Sequence, residues 1–511
     1  MNCRCNRLCA CSDSRNSQLG NVMTQTMCST GTVNRRLRDD YFYWACLAAV
    51  ACALAFQLLV PPIVGLSDNG DFAREIGYFR YGPVQRVPPV VQVYVAPTYS
   101  RQHGVRARDY EQFTSDFLFV APAVWISRLT PSQILPITLV GVLHAGGMLA
   151  ALGRLFFVTR RMRGHLLFWI ASGVVLTDVG YAAYANSFFG EAAAGIFAVW
   201  TIAETARACE RGQAGWIFAA PAALLICAKV QMAPLALPLA LFQLCVTSRG
   251  VRFANYRPAP ALLLIGIAMF LSVRERPKLE TSYNMLFSAV LPESRDPRSD
   301  LQAFGMNPEL VRYKGTLAWS PASGLYQEDV RLAMKQATPM RIAIFYATRP
   351  PRFWRHITTL FSVATQIRPE ACGNFTMSAG RAPAARATQF SLWSTVHERW
   401  LGRVTKFLLF GLFAMLTAGA AMWRRWRFAP LMALLPALAL TAFLTAAFGD
   451  ANEPIKHQYV FNLLLDACLL FGLSCLSSRI GRVRIAQTNS RTPPTAMPTI
   501  RNGSSSSQTT G

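Results

Sequence analysis

Two aspartates three residues apart, Asp68 and Asp71, are the strongest candidates for chemistry in this 511-residue chain. They enclose Asn69 and Gly70, and the glycine lets the backbone bend so that both carboxyls can point into one cavity. Paired carboxylates suit a general base that deprotonates a hydroxyl, or a site for a divalent cation such as Mg²⁺ or Mn²⁺. The alternative is a solvated turn, because Asp-Asn-Gly is an ordinary turn sequence.

The segment 186–191 carries a second acid, Glu191, between two apolar runs that almost no loop separates. An acid close to apolar residues at a membrane boundary is costly unless it is paired, which indicates a functional role. The alternative is a helix that begins at Glu191, with the acid stabilised by the helix dipole and with Asn186 or Ser187 as its cap. We predict that Glu191 joins the two aspartates in catalysis.

Cationic and amide side chains interrupt two other apolar regions of the chain. Lys229 and Gln231 break one apolar stretch, and Asp450, Lys456 and His457 mark the last loop between apolar runs. Cations at the membrane surface suit the phosphate of a lipid-linked substrate. The alternative is a cation that snorkels to the interface without binding a ligand. The predicted substrate-binding residues are Asn69, Asn186, Lys229, Gln231, Asp450, Lys456 and His457.

The composition predicts the class of protein that must position these residues. The chain is 52% hydrophobic and only 15% charged, whereas a soluble domain has about 25% charged residues. Long apolar runs therefore indicate an all-α polytopic membrane protein. The net charge of +25 does not indicate nucleic-acid binding, because the excess arginine lies in short loops and tails and no basic stripe is interleaved with aromatic residues.

Clusters of arginine orient the apolar runs. They lie at 35–38, 160–163, 207–211, 249–257, 424–427 and 479–484. Because short loops rich in Arg and Lys stay in the cytoplasm, we expect both termini in the cytoplasm and all the candidate residues on the outer face. The chain is then predicted to be a multi-pass protein of the cytoplasmic membrane, in contact with membrane lipids.

The apolar runs predict about ten transmembrane helices. They lie at 41–63, 133–153, 166–185, 188–206, twice within 214–247, and at 258–273, 404–422, 428–448 and 457–477. As one helix, 214–247 would be about 50 Å long, too long for a hydrocarbon core of about 30 Å. Segment 113–130 contains Asp116 and Arg128 and is predicted to lie on the outer surface.

These predictions divide the chain into five parts. They are a disordered cytoplasmic tail at 1–40, a membrane domain at 41–273 with its first outer loop at 64–112, an outer-face domain at 274–403, a membrane domain at 404–477, and a disordered tail at 478–511. The outer-face region is large enough to form a small domain of its own.

The arrangement of motifs resembles the GT-C superfamily of integral membrane glycosyltransferases. Members have many spans, an acidic motif in the first outer loop and a surface helix in that loop, which 68–71 and 113–130 match. More narrowly, 68–72, 186–191 and Lys456-His457 with Phe461-Asn462 resemble the bacterial hexose-transferase family of the WsfD type.

The resemblance implies transfer of a hexose from a polyprenyl-phosphate-linked donor to a glycan or lipid-linked acceptor, usually with inversion. One of the two aspartates would be the base, the other acids would orient the acceptor or hold a metal, and the cations would bind the donor phosphate. The chain has Asp-x-x-Asp where the superfamily often has adjacent acids, so the residues leave open which aspartate is the base.

Two functions from other classes fit the same composition. A transporter or flippase of lipid-linked glycans would place ionisable residues and broken helices at mid-bilayer and would show repeated halves. Here the candidate residues collect at one face and no repeat is evident, which favours the transferase. A non-catalytic scaffold for polysaccharide assembly is the third possibility.

Overall fold

The computed structural model describes residues 17–84, 90–102, 112–162, 164–247, 256–423, 425–449 and 451–474. Helices make up most of this part of the chain and strands are short, so the predicted all-α polytopic membrane fold is confirmed. Asp450 and the tail 478–511 lie outside the described residues. The first helix begins at Ser17, within the segment predicted as a disordered tail.

Five helices in the described residues are long and apolar enough to cross a membrane. They are Arg38–Leu59, Ile137–Thr159, Val230–Thr247, Leu392–Ala421 and Ala429–Gly449. Two bent pairs raise the number to seven if each is one span, namely His165–Leu176 with Val179–Ala185, and Pro258–Leu271 with Glu275–Val290. Three shorter apolar helices are Phe117–Arg128, Trp216–Ala228 and Tyr459–Ser474. The count of ten is therefore not confirmed.

Large apolar side chains on the outside of these helices suit contact with lipid. Leu264, Phe407, Phe410 and Phe413 are all more than half exposed. In water such a surface would be unusual, because soluble monomers rarely expose contiguous apolar patches of that kind. In a bilayer the same side chains meet hydrocarbon, and helices satisfy every backbone polar group internally.

The apolar stretch 214–247 is broken where the sequence predicted a break. The helix Trp216–Ala228 ends at Lys229, whose backbone is extended, and a 3₁₀ turn Val230–Leu235 leads into the helix Ala236–Thr247. Pro234 removes one backbone donor in this turn. The interruption places Lys229 at a helix end, where its side chain can reach a neighbouring element.

The Arg-rich helix ends meet at one end of the bundle. Arg154 and Arg207 both pair with Glu204, the former at 2.7 Å, and Arg427 donates to the carbonyl of Glu210 at 3.3 Å. The helix Glu191–Arg211 runs from the candidate residue Glu191 to this end. Its 21 residues span about 30 Å, so Arg211 at the far end of this helix lies about the thickness of a bilayer core from Glu191.

The first outer loop folds into short strands and helices that hold its backbone in place. Val64–Leu66 pairs antiparallel with Cys372–Phe375, which joins this loop to the outer-face region. Tyr81–Pro83, Thr98–Arg101 and Leu135–Pro136 form a second antiparallel sheet. Between them lie the helices Ala73–Ile76 and Val90–Val93 and the 3₁₀ turn Gly77–Phe79, and the predicted surface segment contains the helix Phe117–Arg128.

The outer-face region contains a second hydrophobic core of its own. This core is built from residues between Tyr283 and Tyr346, whereas Ile357, Ile367 and Cys372 pack into the core of the helix bundle. The helical elements of the region are Glu275–Tyr283, Asn284–Val290, Pro297–Ala303, Pro308–Tyr313, Glu328–Met334, Pro339–Ala347, Pro350–Leu360, Met377–Ala379, Leu392–Arg399 and Leu401–Val404. Thr405–Ala421 continues into the membrane, and Pro454–His457 precedes the last apolar helix.

Candidate functional site

The four residues from Asp68 to Asp71 form a tight turn between the strand Val64–Leu66 and the helix Ala73–Ile76. Asp68 Oδ1 accepts hydrogen bonds from the amides of Gly70 at 2.7 Å and Phe72 at 3.2 Å. Gly70 has a φ of +103°, a conformation that favours glycine. The turn sends the two carboxyls into different surroundings, so they do not share one set of partners.

Asp71 is anchored by two cations. Its Oδ2 lies 2.8 Å from Lys456 Nζ and its Oδ1 lies 3.1 Å from a guanidinium nitrogen of Arg74. Burial alone would raise the pKa of Asp71, but Lys456 and then Arg74 hold this pKa well below its usual range. Asp71 is therefore an ionised anchor at all ordinary pH values.

Lys456 is a buried ion-pair partner and not an open cation. It is 2% exposed, pairs with both Asp71 and Glu453, and lies 4.6 Å from the centre of the Phe189 ring. Burial opposes its charge, yet Asp71 and Glu453 raise the pKa of Lys456 above its usual value. Asn69 Nδ2 donates to both Glu453 oxygens, at 2.6 and 2.7 Å, so Asn69 also belongs to this network.

Glu453 adopts a left-handed backbone conformation, with φ +50° and ψ +50°. This conformation costs a non-glycine residue about 1–3 kcal/mol and persists only where the surroundings enforce it. Here it directs the Glu453 carboxylate to Asn69 and Lys456, which ties the last outer loop to the first.

Asp68 lies beside a cavity of about 110 Å³, lined also by Arg80, Tyr99 and Gln102. Burial raises the pKa of Asp68 to about 6, the amides of Gly70 and Phe72 oppose this rise, and the charge of Asp71 adds to it. The Tyr99 hydroxyl is buried and has no hydrogen-bond partner in the described part of the chain. The cavity therefore offers a carboxyl that titrates near neutrality and an unused hydroxyl.

A cleft on the other side of the turn is lined by Asp71, Arg74, Glu75, Glu191 and Lys229, with Phe188 and Phe189. Lys229 Nζ lies 2.5 Å from Glu191 Oε1, so these two predicted residues do meet. The second Glu191 oxygen is buried without a donor among the described residues. Glu191 therefore has Lys229 as its ion-pair partner, and its predicted catalytic role stays a prediction.

Gly190 allows the chain to close around this cleft. A Cβ at this position would collide with the carbonyl oxygen of Ala228 and would lie 3.1 Å from Glu75 Oε1. The helix Glu191–Arg211 can therefore begin directly against the break at Lys229 only because residue 190 has no side chain.

Asn186 and His457 have internal partners. Asn186 is fully buried, and its amide nitrogen donates to the carbonyls of Leu58 at 3.0 Å and Val64 at 2.8 Å. Gln231 Nε2 donates to the His457 carbonyl at 2.9 Å, and His457 Nδ1 lies 3.1 Å from Gln231 Oε1. Asn186 thus joins the first span to the first strand, and the substrate contacts predicted for these three residues stay predictions.

Sequence reasoning gave no role to four residues that the structure brings to the site. Arg74 and Glu75 line the cleft, and behind Glu75 lie Asp116 and His144, both at most 1% exposed. His144 Nε2 lies 2.7 Å from Asp116 Oδ1. His144 was detectable, because an ionisable residue inside an apolar span is itself a sign of function. Glu75, four residues after Asp71, was detectable by its helical spacing.

The two aspartates do not fit the metal site that the sequence allowed. Both oxygens of Asp71 contact cations, and one oxygen of Asp68 accepts from two amides. No group of three or more His, Cys, Asp or Glu side chains with metal-binding geometry occurs in the described residues. A divalent cation would have to displace Lys456 or Arg74 from Asp71.

These observations define a polytopic membrane protein with a polar, acid- and cation-lined site at one end of its helices. The family described as YfdI N-terminal transmembrane domain has a sequence model that matches residues 35–492, and the chain belongs to this family. No curated protein sequence is found to match the chain.

Two solved structures from Archaeoglobus fulgidus are similar to this chain. One is the archaeal oligosaccharyltransferase AglB in complex with an inhibitory peptide and a dolichol-phosphate, with 13% identity and a TM-score of 0.37. The other is the apo form of an oligosaccharyltransferase of the same organism, with 14% identity and a TM-score of 0.39. Each match covers 88% of this chain and 52% of the other, so the chain spans about half the length of these proteins.

Proposed function

We propose that this protein is a membrane glycosyltransferase of the GT-C type, which transfers a hexose from a polyprenyl-phosphate-linked donor to a glycan or lipid-linked acceptor. The observation that carries the proposal is the turn 68–71, which separates a cavity beside Asp68 from a cleft beside Arg74 and Lys229. A carboxyl with a pKa near neutrality suits general-base catalysis, and cations suit a phosphate leaving group.

Asp68 is the base in this proposal, which resolves the choice between the two aspartates. Its pKa of about 6 leaves it mostly ionised at neutral pH and still able to hold a proton. Asp71 is a weaker candidate, because Lys456 and Arg74 occupy both its oxygens. Tyr99, whose hydroxyl has no partner in the described chain, would orient the acceptor.

The chemical step involves one bond that forms and one that breaks. The acceptor oxygen bonds to the anomeric carbon of the donor while its proton passes to a carboxylate oxygen of Asp68. The bond between that carbon and the phosphate oxygen breaks, and polyprenyl phosphate leaves. Attack from the side opposite to the phosphate inverts the anomeric configuration. The turn 68–71 favours such an attack, because it separates the cavity for the acceptor from the cleft for the phosphate.

Arg74 and Lys229 would receive the phosphate. The enclosed part of the cleft is about 30 Å³, so a phosphate would lie at its open mouth. Arg74 takes the place that the sequence gave to Lys456, since the Lys456 side chain is buried between Asp71 and Glu453. Charge-assisted hydrogen bonds to the phosphate would contribute roughly 1.5–3 kcal/mol each, and Glu191 would position Lys229.

The experiment is a mass analysis of surface glycans from cells with the protein, without it, and with Asp68→Asn in its place. Loss of a single hexose without the protein, and equally with Asp68→Asn, supports the transferase. Loss of the whole glycan supports the flippase instead. A normal glycan in cells that carry only Asp68→Asn would contradict the assignment of the base, and the exposed-acid variant Glu309→Gln is the matched control.

We also propose that the site faces the outside of the bacterial cytoplasmic membrane, with both termini in the cytoplasm. The Arg-rich helix ends meet at the opposite end of the bundle from the site, and such ends stay in the cytoplasm. A single cysteine at Asn69, in a cysteine-free protein, should react with an impermeant thiol reagent in intact cells. A cysteine at Arg161 should react only after lysis, and the reverse pattern would overturn the orientation.

A further inference from the structure

The carboxyl groups of Glu75 and Asp116 lie close together behind the cleft. Glu75 and Asp116 are within hydrogen-bonding reach of one another. Glu75 Oε2 and Asp116 Oδ2 are both buried and accept from no donor in the described part of the chain. Two ionised carboxylates in such surroundings repel, and a proton held between them removes the repulsion and satisfies both oxygens.

The contacts of His144 indicate which carboxyl carries that proton. His144 Nδ1 lies 2.8 Å from the Ala185 carbonyl, which can only accept, so Nδ1 is protonated. His144 Nε2 lies 2.7 Å from Asp116 Oδ1. We assign a second ring proton to His144 Nε2, which donates it to Asp116 Oδ1, and we assign the shared proton to Glu75. Burial, the charge of Asp116 and that of Glu191 all raise the pKa of Glu75, whereas Lys229 opposes them.

The ion pairs that line and border the cleft are already balanced without Glu75. The cations are Arg74, Lys229 and Lys456, and the carboxylates that pair with them are Asp71, Glu191 and Glu453. Three positive and three negative groups cancel. An ionised Glu75 would add a fourth negative charge to the wall of the cleft, and at this range a like charge repels a phosphate strongly.

We propose that Glu75 is a positioning residue that is held as a neutral acid, so that the cleft can accept the phosphodiester of a lipid-linked sugar. The proposal rests on the function proposed above and concerns the same cleft. Asp116, at the start of the helix Phe117–Arg128, and His144 keep the proton on Glu75. Four other charged groups line the cleft with Glu75, namely Glu191, Lys229, Asp71 and Arg74. A change in the charge of Glu75 would affect these groups and also Asp116 and His144.

The first measurement reports on the proton directly. Purified full-length protein at neutral pH should show the infrared carbonyl band of a protonated carboxylic acid, shifted in heavy water. This band should be lost in Glu75→Gln and kept in the exposed-acid control Glu309→Gln. The proposal would be overturned if the wild-type spectrum at neutral pH lacked this band, or if the band remained in Glu75→Gln. This result does not depend on whether the protein transfers a sugar.

The second measurement is binding of undecaprenyl-phosphoryl-glucose to the protein in detergent at neutral pH. Glu75→Gln keeps a neutral donor at this position and should bind within about twofold of wild type. Asp116→Asn removes the charge of Asp116 and supplies an amide that stabilises an ionised Glu75, so the negative charge moves to a residue that lines the cleft. Affinity should then fall about 10- to 100-fold, as expected for a like charge brought closer to the phosphate. The double variant Asp116→Asn, Glu75→Gln should recover most of this loss.

Each outcome separates this proposal from the proposed function. The neutral-acid role of Glu75 would be overturned if Asp116→Asn and the double variant bound the lipid equally weakly. It would also be overturned if Glu75→Gln alone caused a large loss of affinity for the lipid. If Asp116→Asn fails to fold, the infrared band and the Glu75→Gln affinity still decide. Wild-type protein that binds the lipid but transfers no sugar would refute the transferase and leave the role of Glu75 standing.

Discussion

The ionisation of Asp68 is expected to set the acid side of the pH profile of transfer. A general base works only when it is deprotonated, so activity should be lost as the pH falls through the pKa of Asp68. Burial raises this pKa to about 6. Asp71, whose pKa lies well below its usual range, should contribute no inflection above the strongly acid range.

The size of the effect follows from that pKa of about 6. About nine-tenths of Asp68 is ionised at about pH 7 and about one-tenth at about pH 5, so kcat/KM for the acceptor should fall about tenfold between them. Asp68→Asn should cost about 100- to 10,000-fold and should abolish the inflection. Asp71→Asn should instead lower protein abundance, because Lys456 and Arg74 lose a shared partner.

The assay uses purified protein in detergent, a radiolabelled polyprenyl-phosphoryl hexose, and acceptor glycan extracted from cells without the protein. Product is counted at a series of pH values for wild type, Asp68→Asn and the control Glu309→Gln. A wild-type profile that is flat from about pH 5 to about pH 7 would refute the reasoning. The same conclusion would follow if Asp68→Asn kept the wild-type rate.

Three further expectations concern the residues around the turn. Lys456→Met should lower the free energy of unfolding of the inserted protein by about 3–5 kcal/mol and reduce its yield, because Asp71 and Glu453 lose the buried cation that they share; unchanged thermal melting would contradict the buried network. Asn186→Ala should lower the melting temperature, since two buried main-chain carbonyls lose their donor at about 1–3 kcal/mol each, while donor KM per folded molecule stays constant; a raised donor KM would instead support the substrate contact predicted from sequence. Transfer should survive chelation by EDTA, because Arg74 and Lys456 already occupy Asp71, and a loss restored by Mn²⁺ but not by Ca²⁺ would show that a metal displaces one of them.

The class of the protein could be predicted from the sequence because a bilayer leaves few choices. Long apolar runs must be helices there, and a lone Lys229 inside such a run requires a break, which the structure has. The number of spans could not be predicted equally well. Helices such as Trp216–Ala228 are too short to pass as spans alone, and the bend of 59° between His165–Leu176 and Val179–Ala185 leaves no mark in hydropathy.

The candidate site could be predicted as a set of loops but not as a set of contacts. Residue type and position selected Asp68, Asp71, Glu191, Lys229 and Lys456, and the structure brings the last four into two ion-paired groups. Which cation remains accessible depends on side-chain burial, and that is decided by tertiary packing. The sequence therefore included Lys456 among the predicted phosphate-binding cations, although packing buries it between two carboxylates.

Gly190 has a consequence for genetic analysis of this protein. A side chain there would strike the Ala228 carbonyl, so nearly every substitution should be as damaging to cells as a change at Asp68. The two kinds of damage differ in what can be rescued. Defects at Gly190 should be relieved by growth at low temperature, or by second-site substitutions that make room beside the helix end at Lys229. Loss of the base at Asp68 should be relieved by neither. A screen scored only by surface glycan would rank the two positions together, and a screen that also records protein abundance would separate packing from chemistry.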